Sequence, residues 1–405
     1  MRKITLYNFL IVLFFYIPFL LQAQPTLQWN ALLDVEMSKG GVQSHFYYNE
    51  IDENNKDLRI GLSQLNLIGK LTITTNWTLN GRFLLERDKG QQLDKLVVPQ
   101  LNLQWLASKR TIGFTIGSFT NPFGSFNEQQ LSIDRNFIGL PLAYSYYVNI
   151  SDKIGFVENL GDITNISIDE ERQWGGTNLY YGGYSTGALF SWNIKPSKVN
   201  WKLAIVTGAA NLQQRFTDPL HLGIISRLKL QASYFWEQGF SFSHGSFLRT
   251  SEVSNSIDQL KKYKQTLLGT NFKLGFGFLE FSGEIIAAFY KTPLFLPNEN
   301  RFQETSIDTP LQLSNVSAYL DTKYELPFLQ GSYLAYRIDR MTFDSSEGYA
   351  TNSEWDNAIW RHSLAVGYRI NTYFLARFAF STQQVANKNW DKTQRTFRLV
   401  LTAHY

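Results

Sequence analysis

The feature that most constrains this chain is an alternation of apolar and polar residues that recurs in stretches of about ten residues. The final stretch shows it most clearly. One of its faces is apolar and consists of Phe397, Leu399, Leu401, Ala403 and Tyr405. A β-strand sends successive side chains to opposite faces, so each stretch has one apolar and one mostly polar face. The pattern predicts an all-β protein, although one such strand would also suit a soluble sheet.

Similar stretches follow one another from Thr26 to the C-terminus, and long connections alternate with short ones. We predict about 16 antiparallel strands, with roughly 14–18 compatible with the pattern. Strands Leu179–Tyr184 and Ala188–Ile194 are expected to pair with each other, and Lys291 to Thr309 is expected to be a loop. The irregular stretch from Asn121 to Ile168 is too long for a hairpin turn, and its many rings argue against disorder.

The N-terminus has the layout of a secretory signal peptide. A basic start, Met1-Arg2-Lys3, precedes an apolar run from Leu10 to Phe15, and a small residue, Ala23, ends the segment. This layout predicts cleavage after residues 1–23 and a single domain over residues 24–405. An uncleaved membrane anchor is the alternative, but the apolar run is short and Pro18 follows it.

Three features of the sequence together indicate a membrane barrel: the signal peptide, the high content of aromatic residues and the lack of a second long apolar run. Aromatic residues make up 15% of the chain, and aromatic rings suit membrane interfaces. After the leader, no segment has the ~18 continuous apolar residues of a membrane helix. A soluble β-helix or propeller would need a repeat of fixed period, and none is found. We therefore predict a transmembrane antiparallel up-and-down β-barrel with a water-filled lumen in the bacterial outer membrane.

In such a barrel the polar face of each strand faces the lumen, so the alternation predicts which side chains line the pore. The predicted pore-lining charges on strands are Arg82, Glu86, Arg227, Lys229, Glu280, Glu284, Arg337, Arg361, Arg369, Arg377 and Arg398. Burying so many charges in a dry core would be very costly, so they indicate water. Asp34, Glu36, Asp321 and Asp339 are predicted on the same inner face.

Four of the predicted pore-lining arginines lie on the last three strands: Arg361, Arg369, Arg377 and Arg398. A basic strip of this kind lowers the barrier for anions. The alternative is that each arginine pairs with a nearby acid and only stiffens the wall.

Two segments resemble known families. The final strand, with Phe397, Leu399 and Leu401 before a terminal Tyr405, resembles the assembly signal of bacterial outer-membrane barrels.

The segment Ile116-Gly117-Ser118-Phe119-Thr120-Asn121-Pro122-Phe123-Gly124, followed by Asp134-Arg135, resembles a strand-and-loop motif of the phosphate-selective porin family and related porins of the Bacteroidota. The resemblance implies a loop folded into the lumen, with Arg135 near the constriction. Alternatively, the segment is a simple turn and Asp134-Arg135 a surface pair.

The sequence offers little for catalysis. His244-Gly245-Ser246 and His362-Ser363 place His beside Ser, but sequence adjacency is not a catalytic triad. No His-rich metal motif or cysteine is present. We therefore expect no enzymatic activity, no metal and no cofactor. The formal net charge of +4 is too small to suggest a nucleic-acid partner.

These observations predict a porin through which small polar or anionic solutes diffuse passively. Two alternatives remain open: a substrate-specific anion channel of the phosphate type, and a non-conducting barrel that serves a structural or binding role. The expected partners are outer-membrane lipid, the barrel assembly machinery and the solutes, and the resemblance implies a possible homotrimer.

Overall fold

The computed structural model describes residues 25–40, 57–86, 95–146, 148–151, 155–157, 179, 183–196, 198–210, 221–248, 261–298, 301–345, 354–386 and 393–405. The side chains of residues 86, 95, 151, 157 and 294–310 are outside this description. The predicted signal peptide, residues 1–23, lies outside the described residues.

Eighteen strands of the described chain belong to one sheet, and sixteen of them form a closed barrel. The barrel strands are β1 (Thr26–Gly40), β2 (Arg59–Thr72), β3 (Trp77–Glu86), β4 (Lys95–Leu106), β5 (Ile112–Thr120), β8 (Tyr184–Lys195), β9 (Val199–Thr207), β10 (Leu222–Gln231), β11 (Trp236–Ser246), β12 (Lys264–Phe276), β13 (Leu279–Asn298), β14 (Arg301–Glu325), β15 (Ser332–Phe343), β16 (Ile359–Arg369), β17 (Phe374–Val385) and β18 (Gln394–His404). Each barrel strand pairs antiparallel with its neighbours, and β1 closes the ring by pairing with β18. The predicted fold class is confirmed.

The segment between β5 and β8 carries the remaining described elements. It contains 3-10 turns at Phe126–Glu128 and Ser132–Asp134, a short helix α1 (Leu142–Ser145), and the short strands β6 (Ile150–Ser151) and β7 (Gly155–Val157). We call residues 121–157 the inner loop, because its contacts are with the inner wall of the barrel. β7 pairs with β13 at Leu294 and Phe295.

The alternation explains why the strands form a barrel with an apolar outside. On β18, Phe397, Leu399 and Leu401 are exposed, whereas Thr396 and Thr402 are buried. Outward rings near the short turns include Trp29, Trp77, Trp192, Trp236 and Tyr324. An outward apolar belt with aromatic rings at its margin is what a barrel needs to sit in lipid. No helix within the described ranges is long and apolar enough to span a membrane.

Short turns join strands at one end of the barrel and long connections join them at the other. The turn between β2 and β3 is an example of the short type, and the inner loop is one of the long connections. Bacterial barrels place short turns in the periplasm and long loops outside, which orients this barrel. Pro99, which cannot donate in a ladder, lies where β3 and β4 shift register between Arg82 and Leu84.

Two local predictions were wrong. Leu179 is a buried residue outside any strand, and one continuous strand, β8, begins at Tyr184. The expected loop from Lys291 to Thr309 is instead mostly a hairpin, because β13 runs to Asn298 and β14 begins at Arg301. Antiparallel pairing satisfies the backbone groups of this polar stretch.

Candidate functional site, the lumen and its inner loop

Two glycines let the inner loop leave the wall and turn into the lumen. Gly117 in β5 has a φ of 120°, and a Cβ there would lie 2.3 Å from the Leu101 carbonyl oxygen. Gly124 has a φ of 65°, and a Cβ there would lie 1.9 Å from Oε1 of Glu284. Both φ values fall in the region that favours glycine. The glycines of the sequence motif therefore serve the path of the loop.

The start of the loop is pinned by hydrogen bonds on both sides of Pro122. The Asn121 side-chain amide donates to the Ala210 carbonyl over 3.1 Å. The Gly124 backbone N–H donates to the Ser241 hydroxyl over 2.9 Å. These contacts seat the turn against the wall near β9 and β11.

Beyond this turn, the loop packs an apolar face on the wall. Its rings at Phe123, Phe126 and Tyr144 belong to one buried cluster with inward-facing residues of the strands, which include Ala204, Val206, Ile225, Leu267, Ile286 and Met341. The alternation predicts a mostly polar inner face. That prediction was wrong for this part of the wall, because the loop supplies an apolar partner inside the barrel.

Three arginines from neighbouring strands hold the loop by its backbone. Arg337 Nη1 donates to the Gly139 carbonyl over 3.0 Å, and Arg361 Nη1 donates to the Leu140 carbonyl over 3.1 Å. Arg377 Nη1 donates to the Ser132 carbonyl over 2.5 Å. Charge-assisted hydrogen bonds are stronger than neutral ones. We call these three side chains the arginine seat.

The arginine seat is itself held by groups on the wall. Arg337 makes a bidentate contact with Asp321 over 2.5 and 2.6 Å, and its guanidinium lies 4.4 Å from the Phe137 ring centroid. Arg361 donates twice to Gln383 Oε1, and Arg377 donates to the Thr402 hydroxyl over 2.9 Å. The guanidinium positions are therefore fixed on both sides.

Acidic contacts anchor the loop to further strands of the wall. The Tyr144 hydroxyl donates to Glu284 Oε2 over 2.9 Å. Glu128 Oε1 lies 2.6 Å from Arg227 Nη1 and 3.9 Å from Lys202 Nζ, and Glu128 Oε2 lies 3.6 Å from Lys229 Nζ. Burial alone would raise the pKa of Glu128, but the positive charges of Arg227, Lys202 and Lys229 hold that pKa below its ordinary value.

Between these two anchors the loop crosses the lumen. Arg82 Nη1 donates to the Gln130 side chain over 2.8 Å. Arg135 donates to the carbonyls of Gln129 and Gln130, and its guanidinium lies 5.9 Å from the Phe126 ring centroid. Arg135 is thus buried and braces the loop internally, although the resemblance implied a position near the constriction.

Every barrel strand contributes a buried inward residue to the described wall. These residues are Asp34, Asn66, Arg82, Asn102, Thr115, Ser185, Ala204, Arg227, Ser241, Asn271, Glu284, Asp321, Arg337, Arg361, Arg377 and Thr402. Those that contact the loop through polar groups include Arg82, Arg227, Ser241, Glu284, Arg337, Arg361 and Arg377. Taken one per strand, these residues form a ring around the inner wall, and part of that ring meets the loop.

Below the ring, toward the short turns, inward charges reach solvent. Three basic side chains there have acidic neighbours: Lys229 lies 2.8 Å from Glu237, Lys273 lies 3.1 Å from Glu280, and Lys323 lies 2.8 Å from Glu325. Lys70 and Arg369 are exposed on the same inner face without a salt bridge to any described residue. We call this region the basic vestibule.

The predicted pore-lining residues thus separate into groups. Arg337, Arg361 and Arg377 hold the loop, Arg82, Arg227 and Glu284 contact it, and Lys229, Glu280 and Arg369 belong to the vestibule. Arg398 pairs with Glu36 through contacts of 2.8 and 2.9 Å on the inner wall. Glu86 ends β3, and its side chain lies outside the described residues. Their part in solute passage stays a prediction.

Sequence reasoning missed Glu128, Lys202 and Tyr144. Glu128 and Tyr144 lie on the loop, where no periodicity assigns a direction to a side chain. Lys202 was on a predicted inner face, but only the approach of Glu128 gives it a partner.

The C-terminal strand forms the seam of the barrel. The Tyr405 and Ala31 backbones exchange two hydrogen bonds of 2.9 and 3.1 Å. The Tyr405 ring lies 5.2 Å from the Trp29 ring, centroid to centroid. Phe397, Leu399, Leu401 and Tyr405 are all exposed on the outside. Their predicted role as an assembly signal is not tested by this arrangement.

Comparison with solved structures places the fold among porins. The anion-selective porin from Comamonas acidovorans has a TM-score of 0.59 and 8% identity, over 94% of this chain and 100% of that one. The outer membrane channel DcaP of Acinetobacter baumannii has a TM-score of 0.59 and 10% identity, over 95% and 98%. OmpT of Vibrio cholerae in its trimer form has a TM-score of 0.56 and 9% identity, over 95% and 100%.

The fold is that of the bacterial outer-membrane porins. No protein-family model and no curated protein sequence matches the chain. The closed barrel, its outward apolar belt and its porin-like architecture place the protein in the bacterial outer membrane.

Proposed function

We propose that this protein is an outer-membrane porin that lets small polar solutes diffuse passively through the barrel, without enzymatic activity. The observation that carries the proposal is the inner loop, which is seated across a polar wall at a ring of buried residues. A wide barrel narrowed by an inserted loop is a filter for size. Solutes would pass along the edge of the loop and enter or leave through the basic vestibule.

The vestibule favours anions as the preferred solutes. Three of its basic side chains form salt bridges there, whereas Lys70 and Arg369 form none with a described residue. An excess of positive charge at a pore mouth raises the local concentration of anions. One structural neighbour is described as an anion-selective porin, which is compatible with this preference.

A narrower assignment, to the phosphate-selective family and to the Bacteroidota, rests on the motif at residues 116–135. The role of Gly117 and Gly124 in turning the loop inward supports a shared loop architecture. Arg135 braces the loop through backbone carbonyls, which gives no direct support for a phosphate contact at that residue. Phosphate is therefore a candidate solute within the proposed anion preference.

A non-conducting barrel is the second candidate, and one observation favours it. All sixteen barrel strands contribute buried inward residues to the wall, and several of these residues contact the loop. If this ring excludes ions, the barrel would serve as a scaffold whose long loops bind a partner.

The proposal includes an exported chain with residues 1–23 removed and residues 24–405 as one barrel. It also includes outer-membrane lipid and the barrel assembly machinery as partners, and a homotrimer as the assembly. The trimer form of OmpT, a structural neighbour, supports trimerisation only as a precedent within the fold.

Single-channel recording in a planar bilayer tests the proposal. Purified folded protein should give steady open steps, and a salt gradient should give a reversal potential with the sign of anion preference. A reversal potential of the opposite sign would reject the anion preference while leaving the porin intact. Folded protein that gives no steps would reject the porin and support the second candidate.

A further inference from the structure

Basic side chains predominate on the outward face of the barrel near the long-loop end, where Asp344, just beyond β15, accepts a hydrogen bond from Ser314. Basic side chains project outward there on five strands, at Lys39, Lys264, Lys291, Arg340 and Arg395. No aspartate or glutamate faces outward on the strands whose side chains are described. These cations cannot face water in the lumen, because the alternation turns them to the membrane side of the wall.

Their height on the barrel gives them a common environment. The long connections of bacterial barrels lie outside the cell, so these strand ends meet the headgroup region of the outer leaflet. Among the described residues, Arg340 and Arg395 make no salt bridge. An unpaired cation at headgroup depth is stabilised by anionic lipid.

Arg340 belongs to a built cluster of outward side chains. Its guanidinium lies 4.6 Å from the Trp360 ring centroid. The Trp360 and His362 rings lie 6.4 Å apart with an interplanar angle of 5°. The Tyr336 oxygen and His362 Nδ1 are hydrogen-bonded over 2.7 Å. The Trp360 ring lies against the guanidinium and leaves its N–H edge available for acceptors.

Arg395 extends the cluster across the same outer face. In the strand register, Arg340 pairs with Trp360, His362 pairs with Thr382, and Thr382 pairs with Arg395. Three strand spacings separate β15 from β18, which is about 14 Å. The two arginines therefore flank His362 within the span of one large lipid headgroup.

We propose that Arg340, Trp360, His362 and Arg395 form a binding patch for a phosphate-bearing lipid headgroup of the outer leaflet. The guanidinium groups contact phosphate oxygens, and the indole packs beside the apolar base of the lipid. The patch opens to the membrane and not to the lumen, so its ligand is a lipid and not a solute in transit. The proposal depends on the orientation of the barrel in the membrane and not on conduction.

Native mass spectrometry of the full-length protein in detergent tests the patch. The probe is a bis-phosphorylated lipid A, compared with the same glycolipid after removal of its phosphates. The wild type should retain the phosphorylated lipid and release the other. Each basic residue near an anionic lipid contributes about a fivefold gain in affinity. The double variant R340A/R395A should thus bind about 25-fold more weakly.

The matched control removes two lysines from the short turns at the opposite rim, in the double variant K109A/K198A, and it should bind like the wild type. Trp360→Leu keeps both arginines but removes the ring under Arg340, and it should weaken binding less than the double variant. Every variant is first checked for the heat-dependent gel shift of a folded barrel. Conductance of R340A/R395A should equal that of the wild type, which separates this test from that of the porin.

Three results would overturn the proposal. One is equal retention of the phosphorylated and dephosphorylated lipids. Another is an equal loss of binding in R340A/R395A and in the opposite-rim control. The third is displacement of the lipid by millimolar inorganic phosphate, which would indicate a site for free anions instead.

Discussion

Replacing Gly124 by alanine should unseat the inner loop while leaving the barrel intact. An L-residue in the left-handed conformation costs about 1–2 kcal/mol, and Gly124 has a φ of 65°. The new Cβ would lie 1.9 Å from Glu284 Oε1 and 2.6 Å from the Tyr144 hydroxyl. Relieving that clash breaks the 2.9 Å hydrogen bond between Tyr144 and Glu284, and hydrogen bonds to charged groups contribute about 1.5–3 kcal/mol.

The combined cost is roughly 2.5–5 kcal/mol against the seated loop, which shifts the balance of seated to unseated states by roughly sixtyfold to a few thousandfold. Single-channel recordings of Gly124→Ala should therefore show larger or more frequently switching steps than the wild type. The matched control is Gly139→Ala in the same loop, where a Cβ would meet nothing within 4 Å. Equal conductance in the wild type and Gly124→Ala would refute the assignment of the loop as the filter.

Three further predictions concern the seam, the two kinds of arginine and the acids of the loop. Deleting Tyr405 should lower the folded fraction in outer-membrane preparations without changing expression, because the chain end forms the seam; normal assembly would count against this role. Arg369→Gln should shift the reversal potential in the direction of cation preference and leave the conductance unchanged. Arg377→Gln should instead change the conductance, because it loosens the loop. Identical effects of the two variants would contradict the separation into vestibule and loop-holding arginines. Burial raises the pKa of Asp134, although the charges of nearby arginines oppose this shift. Acidification should therefore neutralise the Asp134 carboxylate at a pH above the range in which an ordinary aspartate titrates, and the loss of this negative charge should increase the preference for anions. The lowered pKa of Glu128 keeps that residue ionised in the same window, and Asp134→Asn should abolish the pH effect in reversal-potential measurements.

The architecture followed from the sequence because it rests on local periodicity. Phe397 and Leu399 could be assigned to the outside and Arg377 to the inside from alternation alone, and the described burial agrees with these positions. A period of two can be read in each strand separately, so the two faces of a strand can be assigned without knowledge of the rest of the chain.

The inner loop could not be built from the sequence in the same way. Its path depends on contacts between residues far apart in the chain, such as Tyr144 with Glu284 and Arg377 with Ser132. The inward positions of Ala204 and Val206 look unfavourable for a watery lumen until the loop packs against them. The strands beyond Lys291 were missed for a related reason, since polar residues there carry no alternation and only pairing between β13 and β14 makes them extended.

The arginine seat has a consequence for redesign. Arg337, Arg361 and Arg377 grip carbonyl oxygens, which every residue type possesses, so the grip does not depend on the side chains it holds. The stretch between Ser132 and Leu140 is accordingly an exchangeable cassette, apart from Arg135, which braces the loop, and Phe137, whose ring packs against Arg337. Its other side chains can be rewritten to alter which molecules are admitted, provided that the backbone keeps its course.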